Sequence, residues 1–216
     1  MKLVLDFDDT LFDTVRFKKE RLFISLTRWG ISATKFEESY KNYSEIHPLY
    51  NLKNHLSLLK KEYLLDFDVD EVGYEAVAHL ELFVFPEYLD LISIYGRENI
   101  FILSQGDIDF QSLKIKHSEI DEKVEKIIIV DSNKEQKLTD LSLLWPSETI
   151  IFIDDKFKHM IFENDNPHIV RIFVGDVNSL NREQAEYFAK ESIYYSPKQE
   201  LGGTISKILV IAKEKH

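Results

Sequence analysis

The chain has 216 residues, 44% of them hydrophobic, with 27 Lys and Arg against 38 Asp and Glu for a formal charge of −11. That length suits one domain, or one domain carrying a sizeable insertion, and buries a core without disulfide or metal staples. The acid excess argues against a polyanionic partner such as nucleic acid, and the absence of cysteine excludes disulfide scaffolds, thiolate zinc sites and a cysteine nucleophile.

The first element is a short apolar run, Lys2-Leu3-Val4-Leu5, that passes into Asp6-Phe7-Asp8-Asp9-Thr10. Similar runs recur at Ile100–Leu103, Ile127–Val130, Thr149–Ile153 and Ile169–Val174. Each is nearly continuous rather than alternating, as expected for parallel strands covered on both faces. Helix-sized spacers between the later runs predict right-handed crossovers and a doubly wound sheet.

The stretch between the first two runs is different. It predicts helices over Val15–Trp29 (closed by Gly30), Thr34–Tyr43, Pro48–Tyr63 and Val69–Phe83, with Pro48 in a first turn and Asp68 or Asp70 as a cap. Pro86–Tyr95 follows as a fifth helix, ended by Gly96. After Val174, a helix is expected over Asn181–Lys190, a short strand at Ile193–Tyr195 and a closing helix over Ser206–Lys213, with Gly202-Gly203 as a hinge or close packing point. The expected class is α/β: a three-layer, Rossmann-like parallel-sheet core at 1–13 and 89–216, with an all-helical cap at 14–88 inserted after the first strand.

Ligands of open parallel sheets gather beyond the carboxyl ends of the strands. The residues there are Asp6, Asp8 and Thr10, then Ser104, Gln105 and Gly106, then Asp131 to Lys134, then Asp154 and Asp155. Carboxylates crowded on one edge repel unless a cation joins them or one holds a proton. Mg²⁺ suits such oxygen ligands, and a serine hydroxyl, free N–H groups and a lysine suit a phosphate dianion.

These residues resemble the haloacid dehalogenase superfamily, in its phosphatase branch with a helical cap after the first strand. The family's first motif, Asp-x-Asp-x-Thr, stands as Asp6-Phe7-Asp8-Asp9-Thr10, and its second, an apolar strand ending in Ser or Thr, as Phe101-Ile102-Leu103-Ser104. The fourth, a strand ending in an acidic pair, stands as Phe152-Ile153-Asp154-Asp155. The third, a lysine before the fourth strand, fits Lys134 or Lys137, since leucine follows each by four residues; Lys134 is preferred because Ser132 reads as an N-cap with Glu135 at the reciprocal position.

The resemblance implies that Asp6 is a nucleophile forming an aspartyl-phosphate and that Asp8 is the acid and base, oriented by Thr10. It implies phosphate contacts from Ser104 and Lys134, helped by the Gln105 N–H. Mg²⁺ would be held by Asp6, the Asp8 carbonyl and Asp155, with Asp154 a direct or water-mediated partner. Many relatives carry Gly-Asp with a further acid several residues on; here residues 156–160 contain none, so the Asp154-Asp155 pair must suffice.

Other features read more plainly. Asp9, Asp13 and Asp107 are expected to bond turn backbone. The basic group Arg16, Lys18, Lys19 and Arg21 is either a solvated helix face or a meeting point for an anionic substrate. The seven histidines lack ligand spacing, and Tyr40, Tyr43 and Tyr50 suit cap packing better than base stacking. No secretory leader and no apolar stretch of about 20 residues is visible. The expectation is therefore a cytoplasmic, Mg²⁺-dependent phosphomonoester hydrolase acting on a small soluble phosphorylated metabolite, without nucleic-acid or membrane partners and of open oligomeric state. A phosphomutase of the same family and a non-catalytic relative that binds Mg²⁺ and phosphate are the alternatives.

Overall fold

The computed structural model describes residues 1–162 and 166–214. Six strands, β1 (Lys2–Leu5), β2 (Ile100–Gln105), β3 (Lys126–Val130), β4 (Ile150–Asp154), β5 (Ile169–Phe173) and β6 (Tyr194–Tyr195), form one all-parallel sheet in the order β3-β2-β1-β4-β5-β6. The order reverses at β1, whose neighbours are β2 and β4, so the carboxyl ends of these three strands lie side by side at the centre of the edge. Successive residues point to opposite faces: Leu3, Leu5, Ile102 and Ile153 enter one apolar cluster, and Val4, Leu103 and Phe152 the other. Both faces are thereby covered, which gives the three-layer α/β arrangement.

Ten helices accompany the strands among the described residues: α1 (Thr14–Phe17), α2 (Phe23–Thr27), α3 (Ala33–Ile46), α4 (Leu52–Glu62), α5 (Val69–Ala76), α6 (Pro86–Tyr95), α7 (Ile108–His117), α8 (Lys134–Leu144), α9 (Arg182–Lys190) and α10 (Leu201–Glu214). Several differ from the sequence expectation, for local reasons. The helix expected over Val15–Trp29 is interrupted by a π turn at Lys18–Leu22. Pro48 lies outside the helix assigned to it, because Asn51 caps α4 by accepting from the Asn54 N–H at 3.0 Å. Asp68 rather than Asp70 caps α5, and that helix stops at Ala76; a left-handed His79 then redirects the chain into a 3₁₀ turn at Leu80–Phe83. Ser132 does not cap α8: its hydroxyl donates to Asp131, and a left-handed Asn133 starts the helix instead. The closing helix begins at Leu201 and takes in both Gly202 and Gly203.

The helices α1 to α5 leave the sheet after β1 and return before α6, and the two connecting segments are bonded to each other. Asp13 N–H donates to Phe83 O at 2.8 Å, Phe85 N–H donates to Leu11 O at 2.9 Å, and Phe12 bridges Val84. One continuous apolar cluster runs from Leu3 and Leu5 through Phe12 and Phe17 to Leu56 and Val72. Among the described residues no helix is long and apolar enough to cross a membrane.

Tyr40, Tyr43 and Tyr50 pack around the buried His55, with ring centroids 5.3 to 5.9 Å from its imidazole. Its two nitrogens meet Ser39 Oγ at 3.1 Å and Tyr50 Oη at 2.9 Å. Burial pushes this imidazole down to about 4 from 6.5. The folded state thus binds the proton more weakly than the unfolded chain, so the stabilisation is complete above pH 6.5 and is lost as pH falls toward 4. The span is worth on the order of 3 kcal/mol. Urea unfolding at pH 7 and pH 4 should show wild type losing more stability than His55→Gln by about that amount; parallel pH dependences would refute a buried neutral imidazole.

Candidate active site

The loop after β1 is wound tightly against the sheet edge. Asp6 N–H donates to Ile153 O at 2.9 Å, and the N–H groups of Leu11 and Phe12 both donate to Phe7 O at 3.0 and 2.9 Å. Asp9 takes the left-handed conformation at the bend, which aspartate tolerates better than most side chains. This winding leaves Asp6 and Asp8 directed to the same side of the edge, where both line one cavity of about 370 Å³.

Asp6 is 2% exposed and meets charge on both sides. The buried Lys134 ammonium donates to Asp6 Oδ1 and, at 2.7 Å, to Asp154 Oδ2. Asp154 is fully used by protein donors: Oδ1 accepts from the Lys156 N–H at 2.8 Å, and Oδ2 also faces His159 Nδ1 at 2.8 Å. Among the described residues the Asp155 carboxylate accepts a hydrogen bond from the Thr10 hydroxyl alone, at 3.4 Å. Oxygens of Asp6, Asp154 and Asp155 all lie within 4.8 Å of one another. Burial raises the Asp6 carboxyl above the ordinary carboxylate range; Lys134 opposes that rise and Asp154 adds to it. Burial likewise lifts Asp155 to about 6, with Asp154 contributing repulsion. Burial also acts on Asp154, but Lys134 and His159 outweigh it and hold that carboxyl low.

Asp8 has a separate set of partners. Thr14 Oγ1 donates to its Oδ1 at 2.6 Å, Gln111 Nε2 to its Oδ2 at 2.6 Å, and the buried Lys114 ammonium to Oδ1. The Lys114 stem is enclosed by Phe7, Phe12 and Phe110, with ring centroids 5.0 to 5.9 Å from its nitrogen. Burial would raise the Asp8 carboxyl, yet Lys114 and the three hydrogen bonds override it and hold the group well below the usual range. Thr10 therefore does not orient Asp8; it sits fully buried and donates to Asp155, while Thr14 takes the orienting position.

Ser104 is fully buried at the end of β2, and its Oγ finds no hydrogen-bond partner, like Asp6 Oδ2. Gln105 turns its side chain away from the carboxylates, donating to Asp131 O at 2.9 Å and meeting His159 Nε2 at 3.0 Å. Lys137 lines neither this cavity nor its larger neighbour of about 760 Å³, which shares Gln105, Lys134, Lys158 and His159 but not the aspartates.

No protein-family model matches the sequence, and no curated protein matches it. The fold does have counterparts among solved structures. A haloacid dehalogenase-like hydrolase of Burkholderia xenovorans LB400 superposes with a TM-score of 0.69 at 18% identity, over 96% of this chain and 97% of that one. The fold is that of the haloacid dehalogenase-like hydrolases. A HAD hydrolase of Bacillus subtilis, solved with bound magnesium, matches with a TM-score of 0.54 at 15% identity over 89% of this chain and 98% of that one. The L-2-haloacid dehalogenase of Xanthobacter autotrophicus matches at 0.55 and 12% identity over 95% and 98%.

On this fold Asp6, Asp8, Gln105, Gly106 and Lys134 line one cavity, Asp154 and Asp155 lie against Asp6, and the Gln105 side chain bonds Asp131 and His159. Thr14, Gln111, Lys114, Lys156 and His159 join them without having been anticipated. Gln111 and Lys114 sit four and seven residues past Asp107, which caps α7 through the Phe110 N–H, so one helix face carries all three. That phase was available in the sequence, but a lysine on a helix ordinarily reads as solvated. Gly106 belongs to the same arrangement: a Cβ there would lie 2.6 Å from Gln111 Nε2 and 2.8 Å from its Cγ, in the path by which Gln111 reaches Asp8.

The donor set fits a hard divalent cation. It is all oxygen, it is crowded, and Asp6 Oδ2 is buried without a partner. Two substitutions probe this construction. Lys134→Met leaves Asp6 and Asp154 facing each other without their cation, at a cost of about 3–5 kcal/mol in urea unfolding. Gly175→Ala places a Cβ 2.3 Å from the Asp155 carbonyl oxygen, so the Asp155 segment must move; stability should fall by about 1–3 kcal/mol, and Mg²⁺ affinity measured by calorimetry should fall with it. Unchanged affinity in Gly175→Ala would remove Asp155 from the metal-binding set.

Proposed function

We propose that this chain is a Mg²⁺-dependent phosphomonoester hydrolase that acts on a small soluble phosphorylated metabolite through an aspartyl-phosphate on Asp6. The observation that carries the reading is the pair of buried, unpartnered oxygens, Asp6 Oδ2 and Ser104 Oγ, beside a three-carboxylate cluster and an ammonium. A nucleophile needs one oxygen fixed and one open; Lys134 fixes Oδ1 and leaves Oδ2 open. A cluster of buried carboxylates is costly unless positive charge or a proton compensates it.

In the proposed reaction Asp6 Oδ2 attacks phosphorus in line while the bond to the leaving oxygen breaks, and Asp8 gives that oxygen its proton. Asp8 then takes a proton from the water that hydrolyses the aspartyl-phosphate and frees Asp6. Ser104 and Lys134 hold the equatorial phosphoryl oxygens. Asp6 and Asp155, with the Asp8 carbonyl, would hold Mg²⁺, since both oxygens of Asp154 are taken by Lys134, His159 and Lys156. Bound there, the ion neutralises phosphoryl charge. Positioning and charge compensation supply most of the acceleration in such transfers.

A second reading has one observation in its favour. Asp8 is tied to Lys114, Gln111 and Thr14 as an ion, which suits a leaving group that needs no proton, such as halide. The presence of a carboxylate at that position still favours phosphoryl transfer, because the dianion of a bound phosphate beside Asp8 draws a proton toward it.

Turnover of an aryl phosphate with Mg²⁺, with EDTA and after Asp6→Asn separates the readings. The expected result is Mg²⁺-dependent hydrolysis that falls at least about a thousandfold in Asp6→Asn. Trapped phosphate should map by mass spectrometry to the Asp6 peptide. Metal-independent halide release from a 2-haloacid, with no phosphate released, would replace this proposal by the second reading.

A further inference from the structure

The cavity above Asp6 carries the opposite charge balance from the chain as a whole: five lysines line it against four aspartates, in a protein of net charge −11. Two of the five are committed, Lys114 to Asp8 and Lys134 to Asp6 and Asp154. Lys156 stands among the carboxylates, and its charge is favoured by Asp6, Asp155 and Asp8. Lys18 is different. It is the lysine that the helices between β1 and β2 contribute to the cavity, and among the described residues its ammonium makes no ion pair. Its nitrogen lies 4.3 Å from the centroid of Tyr40, whose ring face supports the charge without neutralising it.

The backbone is adapted to this placement. Lys18 opens the π turn Lys18–Leu22, and Phe17 and Leu22 both reach the same cavity although they are five residues apart. In an uninterrupted α-helix that spacing turns two side chains about 140° away from each other. A π turn inside an α-helix is uncommon and concentrates at functional positions. The neighbouring Arg16 is spent on Glu20 and the Leu82 carbonyl, so the basic group has one member left facing the cavity. Lys18 lines the cavity together with Asp8, Asp9 and Lys114. Tyr50 and Phe110 add aromatic surface to the same lining.

We infer that the cavity takes phosphomonoesters whose leaving group bears a second anion, a carboxylate or another phosphate, on a short carbon skeleton, and that Lys18 binds that second anion. This rests on the phosphohydrolase reading and specifies its substrate class. The volume of about 370 Å³ admits a compact skeleton and excludes a nucleotide chain.

The test uses phenyl phosphate, 4-carboxyphenyl phosphate and 1,4-phenylene bisphosphate with Mg²⁺-loaded wild type, Lys18→Met, Lys18→Arg and Lys19→Met. Wild type should favour both anionic probes through KM. Lys18→Met should lower that preference about tenfold or more, Lys18→Arg should retain it, and so should Lys19→Met, which removes an equal charge from the exposed neighbouring position. Calorimetric binding of the three probes to Asp6→Asn, with and without Lys18→Met, reads the same difference without turnover. The two anionic probes distinguish carboxylate from phosphate as the preferred second group. An affinity ratio that ignores Lys18, or that Lys19→Met erodes equally, overturns the inference. Absence of turnover with the Lys18-dependent binding difference intact instead rejects the hydrolase reading and keeps the anion site.

Discussion

Three carboxylates buried within reach of one another at the end of a parallel sheet set the terms for the rest of this structure. Asp6, Asp154 and Asp155 cannot all be ionised in a dry site unless positive charge is brought to them; Lys156 stands near, and the charge bonded directly to two of them is Lys134. Its placement follows from topology. The strand order reverses at β1, so β1 and β4 end side by side, and α8, which carries Lys134 at its first position, runs into β4. The left-handed Asn133 turns the chain sharply before α8 and lets that first residue point inward rather than into solvent. Among the described residues no ammonium bonds Asp155, whose carboxyl burial lifts to about 6, and this leaves a local deficit of positive charge. The deficit has the sign that a divalent cation corrects.

A second ion pair, Asp8 with Lys114, lies beside the first but belongs to different elements. Lys114 comes from α7, Thr14 opens α1, and Gln111 passes through space that only glycine at 106 leaves open. The partners of Asp8 are thus shared between α7 and the first helix that leaves the sheet. A link of the same kind recurs further out, where Asn51 at the cap of α4 donates to Asp107 at the cap of α7 at 3.0 Å. Both residues also serve as helix caps, so displacing one helical layer against the other disturbs two helix ends together. The bonds that join the connecting segments, Asp13 with Phe83 and Phe85 with Leu11, hold the layer that carries Lys18 in register with the loop that carries Asp8.

Much of this was legible in the residues. The parallel sheet could be read because each strand is buried on both faces and therefore written almost wholly in apolar residues. The strand-end residues could be read because topology alone puts them on one edge. What escaped depends on information that a pattern of types does not hold. Thr10 and Thr14 are both plausible partners for Asp8, and only the winding of the Asp6–Phe12 loop sends Thr10 to Asp155 and Thr14 to Asp8. His159 has no ligand-like spacing to any other histidine, yet the short 3₁₀ turn after β4 carries it back onto Asp154. Lys114 resembles a solvated helix lysine until Phe7, Phe12 and Phe110 are assembled around its stem. The π turn at Lys18 leaves no signature in composition, since its cause is the packing of Phe17 and Leu22 against neighbours distant in sequence.

The net charge of −11 acquires a different meaning once these positions are known. A uniform negative field would repel any phosphorylated ligand, and screening at ordinary ionic strength removes only the part that acts beyond about 10 Å. At the cavity the balance differs from that of the chain: five lysines and four aspartates line it, with Asp154 and Asp155 against Asp6, and several of the lysines are held in low-dielectric surroundings where each charge counts for more. The acids that make the chain negative lie mostly outside this zone, in exposed helix faces such as α3 and α5. They disfavour large polyanions, which must contact an extended surface, far more than a compact anion, which needs to meet only the cavity. On the proposed function, the overall charge and the lysines of the cavity would select together, the first against size and the second in favour of negative charge.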